Sequence, residues 1–172
     1  FDGNGALDWA TYYGGSGTDG GLEVTVEPTN EIYVTGYTQS INFPLWTLLG
    51  AFNQGVMGGG VDAFLLRFTG NGALDWATYY GGTQNDRGLE LAIDGLNNLY
   101  VTGHTSSTDF PLHPLFGAYN QPSHGGGTND VFILMFDGNL AVAWSTYYGG
   151  GGNDWECNIE TDIADNIFIY FI

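Results

Sequence analysis

FTGNGALDWATYYGG, residues 68–82, has the composition of a short strand bounded by glycine turns, and nearly the same words open the chain as FDGNGALDWATYYGG, residues 1–15. A third version, FDGNLAVAWSTYYGG, occupies 136–150, so Trp9, Trp76 and Trp144 recur at spacings of 67 and 68 residues. Self-similarity at a long fixed period marks one supersecondary unit stacked repeatedly, not one irregular domain. It also lets the copies be compared with one another.

Each copy reads as four strands. In GGLEVTVE, Leu22, Val24 and Val26 alternate with Glu23, Thr25 and Glu27, which predicts a strand with one apolar face. The turn-like PTN leads to EIYVTGYT, a β-branched and aromatic run close enough to pair as a hairpin. DAFLLRF, residues 62–68, predicts a third strand and ALDWATYY a fourth. The second copy supplies LELAID, NLYVTGHT, DVFILMF and AVAWSTYY at the matching places. Four strands per repeat is the count of a propeller blade. The third strand is apolar on both faces, with Phe64, Leu66 and Phe68 on one and Ala63 and Leu65 on the other, as inner strands are when sheets pack face to face.

The expected fold is all-β: a β-propeller of four-stranded antiparallel blades, present as an incomplete segment of about two and a half. Residues 1–15 are the last strand of a preceding blade, 16–82 the first full repeat, 83–150 the second, and 151–172 the first two strands of a third. The third copy begins GGGGNDWECNIETD and IFIYFI, and it is atypical in placing Phe171 where Gly36 and Gly103 stand.

These words resemble the bacterial and archaeal β-propeller repeat family called SBBP. Its order of motifs is matched by ALDWATYYGG, Asp19, YVTGYT, Phe43 with Pro44, and GGGVDAF, and again by ALDWATYYGG, Asp86, YVTGHT, Phe110 with Pro111, and GGGTNDVF. The basic residue common after the third strand is present as Arg67 but is Met135 in the next copy. The resemblance implies a propeller from a large secreted or surface-exposed protein, and it brings no catalytic residues with it.

Composition narrows the function. The 43% hydrophobic and 16% aromatic content is too rich for disorder, and the 29 glycines show no three-residue period. There is no lysine, and Arg67 and Arg87 stand against 19 acidic residues, a formal net charge of −17. Such a field repels a phosphate backbone and an anionic membrane, so neither nucleic acid nor such a membrane is an expected partner. Cys157 has no partner for an internal disulfide and falls where the earlier copies have Leu22 and Leu89, so it is expected to be a small buried hydrophobe. No apolar run approaches the length of a membrane span. No signal peptide is visible, and the sequence starts without methionine, in mid-repeat, as a piece of a longer chain would.

The acids recur in fixed places: Asp19, Asp86 and Asp154 in glycine-rich turns, and Asp62 and Asp130 before the third strand. Calcium, bound by six to eight oxygens, is one use for them. The favoured use is an Asx-type turn in which the carboxylate accepts backbone N–H bonds, since one acid per turn falls short of a calcium loop. The links at 39–61 and its partner in the second copy carry Phe43, Leu45, Trp46, Leu48, Leu49 and Phe52, then Phe110, Leu112, Leu115, Phe116 and Tyr119. They are expected to fold back over the blade edge rather than to form binding loops. His104, His113 and His124 form no zinc constellation, and no nucleophile stands beside a base, so no enzyme activity and no cofactor are expected.

The leading functional expectation is a noncatalytic extracellular or cell-surface scaffold for protein interaction or surface assembly, with neighbouring repeats of the same protein or other surface proteins as partners. Adjacent repeats would cover the open edges of the terminal sheets. The alternative is a glycan-binding, lectin-like module, with Trp46, His113 and Trp155 as candidate binding residues. Against it, Trp46 becomes His113 in the next copy, and Trp155 replaces Gly20 and Arg87, so no aromatic platform is repeated.

Overall fold

The computed structural model describes residues 1, 3–155 and 157–171. Ten strands follow one another: β1 (Asp19–Val26), β2 (Ile32–Thr38), β3 (Asp62–Phe68), β4 (Leu74–Tyr80), β5 (Asp86–Ile93), β6 (Leu99–Thr105), β7 (Asp130–Phe136), β8 (Val142–Tyr148), β9 (Cys157–Thr161) and β10 (Ile167–Phe171). Among the described residues there is no helix. The strands form antiparallel sheets in the order β1-β2-β3-β4 and β5-β6-β7-β8, with β9 and β10 as a two-stranded sheet. This is the blade architecture expected of a partial propeller. Glu156 and Ile172, at the margins of the two strands expected in the third copy, lie outside the described residues, as does Asp2.

The same irregularity marks both complete sheets. Gly21 pairs with Gly36 and Glu23 with Thr35, which leaves Leu22 as the extra residue of a bulge, and Leu89 repeats it between Gly88 and Glu90. The bulge draws the backbones together. A Cβ on Gly36 would lie 1.9 Å from the Gly20 carbonyl oxygen, and one on Gly103 the same distance from that of Arg87, so the glycine of YVTG is imposed by the approach.

The core lies between sheets. Leu65, Trp76 and Tyr80 of the first pack with Leu91, Val101, Phe132 and Phe136 of the second, and Trp76 is fully buried with its ring edge-on to Phe136 at 5.5 Å. Phe64, Leu66 and Phe68 fill the opposite face of the first sheet. The two-sided apolarity of β3 and β7 therefore has its cause in double coverage. A smaller cluster of Ala92, Tyr100 and Ile159 joins the second sheet to the third. Cys157 is buried there, and burial pushes its thiol up to about 11, as befits an inert small hydrophobe. Coverage also decides the exposure of the innermost strands: Leu91, packed in the core between the sheets, is 7% exposed, whereas its counterpart Val24 is 57% exposed.

Residues 6–13 depart from expectation. They repeat ALDWATYY yet form no strand, because a fourth strand takes its ladder from a third, and β3 is already paired with β4. Side-chain packing is nonetheless that of a fourth strand. Trp9 lies 5.8 Å from Phe68, and Tyr13 meets Phe43 and Phe68 at 5.2 and 5.9 Å, as Tyr80 meets Phe110 and Phe136 at 5.2 and 6.1 Å. The apolar contact forms without the ladder.

Each long link folds back on the outer strand of its own sheet. Trp46 exchanges two backbone hydrogen bonds with Ala77, and Gln54 bridges Tyr79, so the link supplies partners to the outer edge of β4. His113 and Gln121 do the same for Ser145 and Tyr147 on β8. Trp76 Nε1 donates to the Phe52 carbonyl at 2.9 Å, and Trp144 Nε1 to that of Tyr119 at 3.0 Å. Phe43 and Phe110 are buried, as the fold-back expectation requires. Leu49 and Phe116 are not: they stand fully in solvent at the tips of the links. Truncating Phe110 to Ala should therefore cost about 3–5 kcal/mol, whereas Leu49→Ala should stay within about 0.5 kcal/mol, both read from equilibrium denaturant unfolding. Equal losses would contradict this division of the link.

Candidate functional site

The corner where the fourth strand of one blade enters the first strand of the next is built twice from the same parts. Asp19 Oδ2 accepts from the Gly15 N–H at 2.8 Å and from Ser40 Oγ at 2.9 Å, and its Oδ1 accepts from Thr38 Oγ1. Asp86 repeats this with Gly82 N–H at 2.8 Å, Ser107 Oγ at 2.9 Å and Thr105 Oγ1. Gly150 N–H donates to Asp154 at 3.0 Å in the third copy. Tyr79 then clamps the start of the link, donating to the Ser40 carbonyl at 2.7 Å while accepting from the Phe43 N–H, and Tyr147 does so for Ser107 and Phe110. The acids were visible as repeated turn residues. Their hydroxyl partners were equally legible as the T-x-S that follows each YVTG, but nothing local shows that a residue some twenty positions away returns to the same corner.

Asp62 occupies the neighbouring corner, accepting from Gly58 N–H at 2.8 Å and Gly59 N–H at 3.0 Å. Asp130 accepts from Gly125 N–H at 2.6 Å, but the longer GGGTND turn leaves its Oδ1 without a hydrogen-bond partner, with His124 Nδ1 3.7 Å away. Gly81 separates Asp62 from Asp86: a Cβ there would lie 2.7 Å from Asp86 Oδ2 and 2.9 Å from Asp62 Cγ. Burial pushes both carboxyls up, that of Asp86 to about 6 against the pull of its hydrogen bonds. For calcium, the relevant fact is that the oxygens of Asp19 and Asp86 face N–H and O–H donors. Those donors occupy the directions a cation would need. Among the described residues, no three Asp, Glu, His or Cys side chains converge as metal ligands.

The aromatic candidates are not brought together. Trp46 and His113 lie on the outer edge, against β4 and β8, and both are exposed. Trp155 lies across the sheet, edge-on to His104 at 5.2 Å. There it helps line a cavity of about 440 Å³ between the second and third sheets, with Asn85, Arg87, His104, Ser106 and Asn129. The Arg87 guanidinium lies 4.4 Å from the Tyr37 ring centroid, a cation–π contact. Arg67, by contrast, is held in a two-pronged ion pair with Asp75, both bonds at 2.9 Å. Burial, and then the Arg87 charge, hold His104 below the usual imidazole range, so it is neutral near pH 7. Sequence reading missed Arg87, His104, Asn85, Ser106 and Asn129 as a group.

The corner acids generate a stability prediction. In the native state Asp86 binds its proton more tightly than an ordinary carboxyl, so its contribution favours the fold below the unfolded value and is lost as pH rises towards about 6. Asp86→Asn should flatten the fall in stability across that window, followed by thermal unfolding at a series of pH values. Asp86→Ala should cost about 1–3 kcal/mol, because three donors lose their acceptor.

Comparisons with known proteins agree with this architecture. Residues 75–111 match the SBBP family, described as Beta-propeller repeat. An uncharacterized WD repeat-containing protein of Acanthamoeba polyphaga mimivirus is 21% identical over 151 residues, a match that covers 85% of this chain and 11% of that protein. The chain thus spans about a tenth of the length of this relative. The family match thus runs from β4 to the start of the second link, across the boundary between the two complete sheets.

Proposed function

We propose that the chain is part of a noncatalytic propeller scaffold, extracellular or on the cell surface, that binds other proteins or neighbouring repeats through its outer turns. The observation that carries this is the presentation of Leu49 and Phe116. These residues occupy the same place in successive repeats and are 101% and 104% exposed. The turns that hold them are pinned by side-chain hydrogen bonds. Asn53 Nδ2 donates to the Leu48 and Ala51 carbonyls at 3.0 and 2.8 Å, and Asn120 Nδ2 donates to those of Leu115 and Ala118, both at 2.9 Å. Gly50 and Gly117 supply the left-handed backbone, with φ of 88° and 84°. A pinned turn that spends its hydrogen bonds on holding an apolar side chain in water is built for contact, since ordering is already complete before a partner arrives.

The recurring acids support the noncatalytic part of the reading, because they serve as acceptors for the backbone and for Thr and Ser hydroxyls. The Beta-propeller repeat match and the WD repeat-containing relative support a scaffold role. The net charge of −17 would keep a repeated array soluble and dispersed.

Lysine-directed reagents and trypsin are poor tools on a chain with no lysine and two arginines. Chymotrypsin applied to intact producing cells should release peptides of this chain. A photo-crosslinking amino acid at position 49 or 116 should capture one recurrent protein, and that protein, purified, should lose at least about tenfold in affinity for a Leu49→Asp, Phe116→Asp variant. Protection of the chain in intact cells would overturn the location, and unchanged binding by the variant would overturn the surface.

A further inference from the structure

We propose that the cavity between the second and third sheets binds a sugar carboxylate, a hexuronate residue, with Arg87 as its anion partner and Trp155 as its stacking face. The inference goes beyond the scaffold reading and concerns the opposite margin of the blade from Leu49 and Phe116.

Of the two arginines, Arg67 is neutralised by Asp75, whereas among the described residues no carboxylate lies within ion-pair distance of Arg87. In a chain with 19 acidic residues, an arginine without an acid among the residues lining a cavity is the feature to explain. Tyr37 holds it from one side, which fixes its plane without consuming its hydrogen-bond donors. A planar fork of donors matches a carboxylate. The net charge opposes any anion at long range, but screening confines that effect to about 8 Å at physiological ionic strength, so the nearest charge decides at contact. A monoanion meets less of this opposition than a phosphate dianion would.

The remaining lining selects a sugar. Asn85 and Asn129 bring amides, Ser106 a hydroxyl that donates to Asn129 Oδ1 at 2.9 Å, and Trp155 an indole that is 48% exposed. Amides and hydroxyls pair with ring hydroxyls, and the indole offers a flat apolar face to the C–H side of a pyranose. The neutral His104 adds no second charge, and its Nδ1 is buried without a hydrogen-bond partner. The volume, about 440 Å³, lies within the range of small-molecule sites, about 300–1,000 Å³.

The preceding blade boundary gives an internal control. Its equivalent positions are Thr18, Gly20, Tyr37, Gln39, Val61 and Arg87, so all six differ from one boundary to the next. The acceptors and hydroxyls of the adjoining corner do not change: Asp19 and Asp86, Thr38 and Thr105, Ser40 and Ser107. Where the first boundary has Gly20 and buried Val61, the second has Arg87 and buried Asn129. The fold works with either residue at these positions, so Asn129 in place of Val61 is not demanded by packing, while Arg87 also serves the first boundary through Tyr37.

The test is a calorimetric titration of the chain, in monodisperse solution at about 0.15 M salt to screen long-range repulsion, with sodium galacturonate, galactose and N-acetylglutamate in parallel. Saturable galacturonate binding is expected, with galactose at least about tenfold weaker for want of the charge-assisted hydrogen bonds. Arg87→Gln should reduce galacturonate to the galactose level, and Trp155→Ala should weaken both sugars. Asn129→Val restores the residue of the first boundary and should weaken binding while leaving the near-ultraviolet dichroism unchanged, which separates loss of the site from loss of the fold. Absence of saturation, galacturonate binding unaltered in Arg87→Gln, or N-acetylglutamate binding as tightly as the sugar would each overturn the proposal. The outer-turn surface survives any of these results.

Discussion

Trp76 ties together the three parts of the structure that could otherwise move independently. Its ring is fully buried against Phe136 of the following sheet, its indole N–H is held by the Phe52 carbonyl of the long link, and the Phe52 N–H in turn donates to the Leu140 carbonyl of the following sheet at 2.8 Å. An indole has one polar atom, and burying it without an acceptor would cost free energy. The link is thus required to fold back, and once it has done so it covers the outer edge of β4. Sheet packing and edge protection are consequences of the same side chain.

A second constraint acts at the inner corners. The bulge after Gly21 and Gly88 shortens the distance between the first two strands, and the half-buried Asp19 and buried Asp86 fasten the preceding turn to the Thr and Ser at the end of the second. These groups are spent on geometry, which explains why they recur while the residues around them change. The positions free of that duty are the link tips and the mouth between sheets. The two proposed contact surfaces lie there: Leu49 stands fully in solvent, and Arg87 rests on Tyr37 with no carboxylate within ion-pair distance among the described residues.

Much of this was legible in the sequence. The ten strands of the described residues follow from alternation, turn chemistry and the 67- and 68-residue periods, and the two-sided apolarity of DAFLLRF implies face-to-face packing. The role of the turn acids as acceptors was also readable, because a single carboxylate among glycines has few other partners. Residues 6–13 show the limit of that reading. Their sequence is identical to that of residues 73–80, and yet only the latter contain a strand, since a ladder is a property of two segments and not of one.

The sequence by itself determined the repeat, the four strands of each complete copy and the carboxylates of the corners, because each depends on local pattern or on a residue type with few uses. The tertiary structure decided what faces what. It placed Trp46 and Trp155 at opposite margins of the blades, buried Phe43 and exposed Leu49 six residues later, and assembled Arg87, His104, Asn129 and Trp155 from four separate segments around one cavity. Those outcomes depend on the packing of one sheet on the next, where contacts join residues up to about one repeat apart, and no local pattern encodes them.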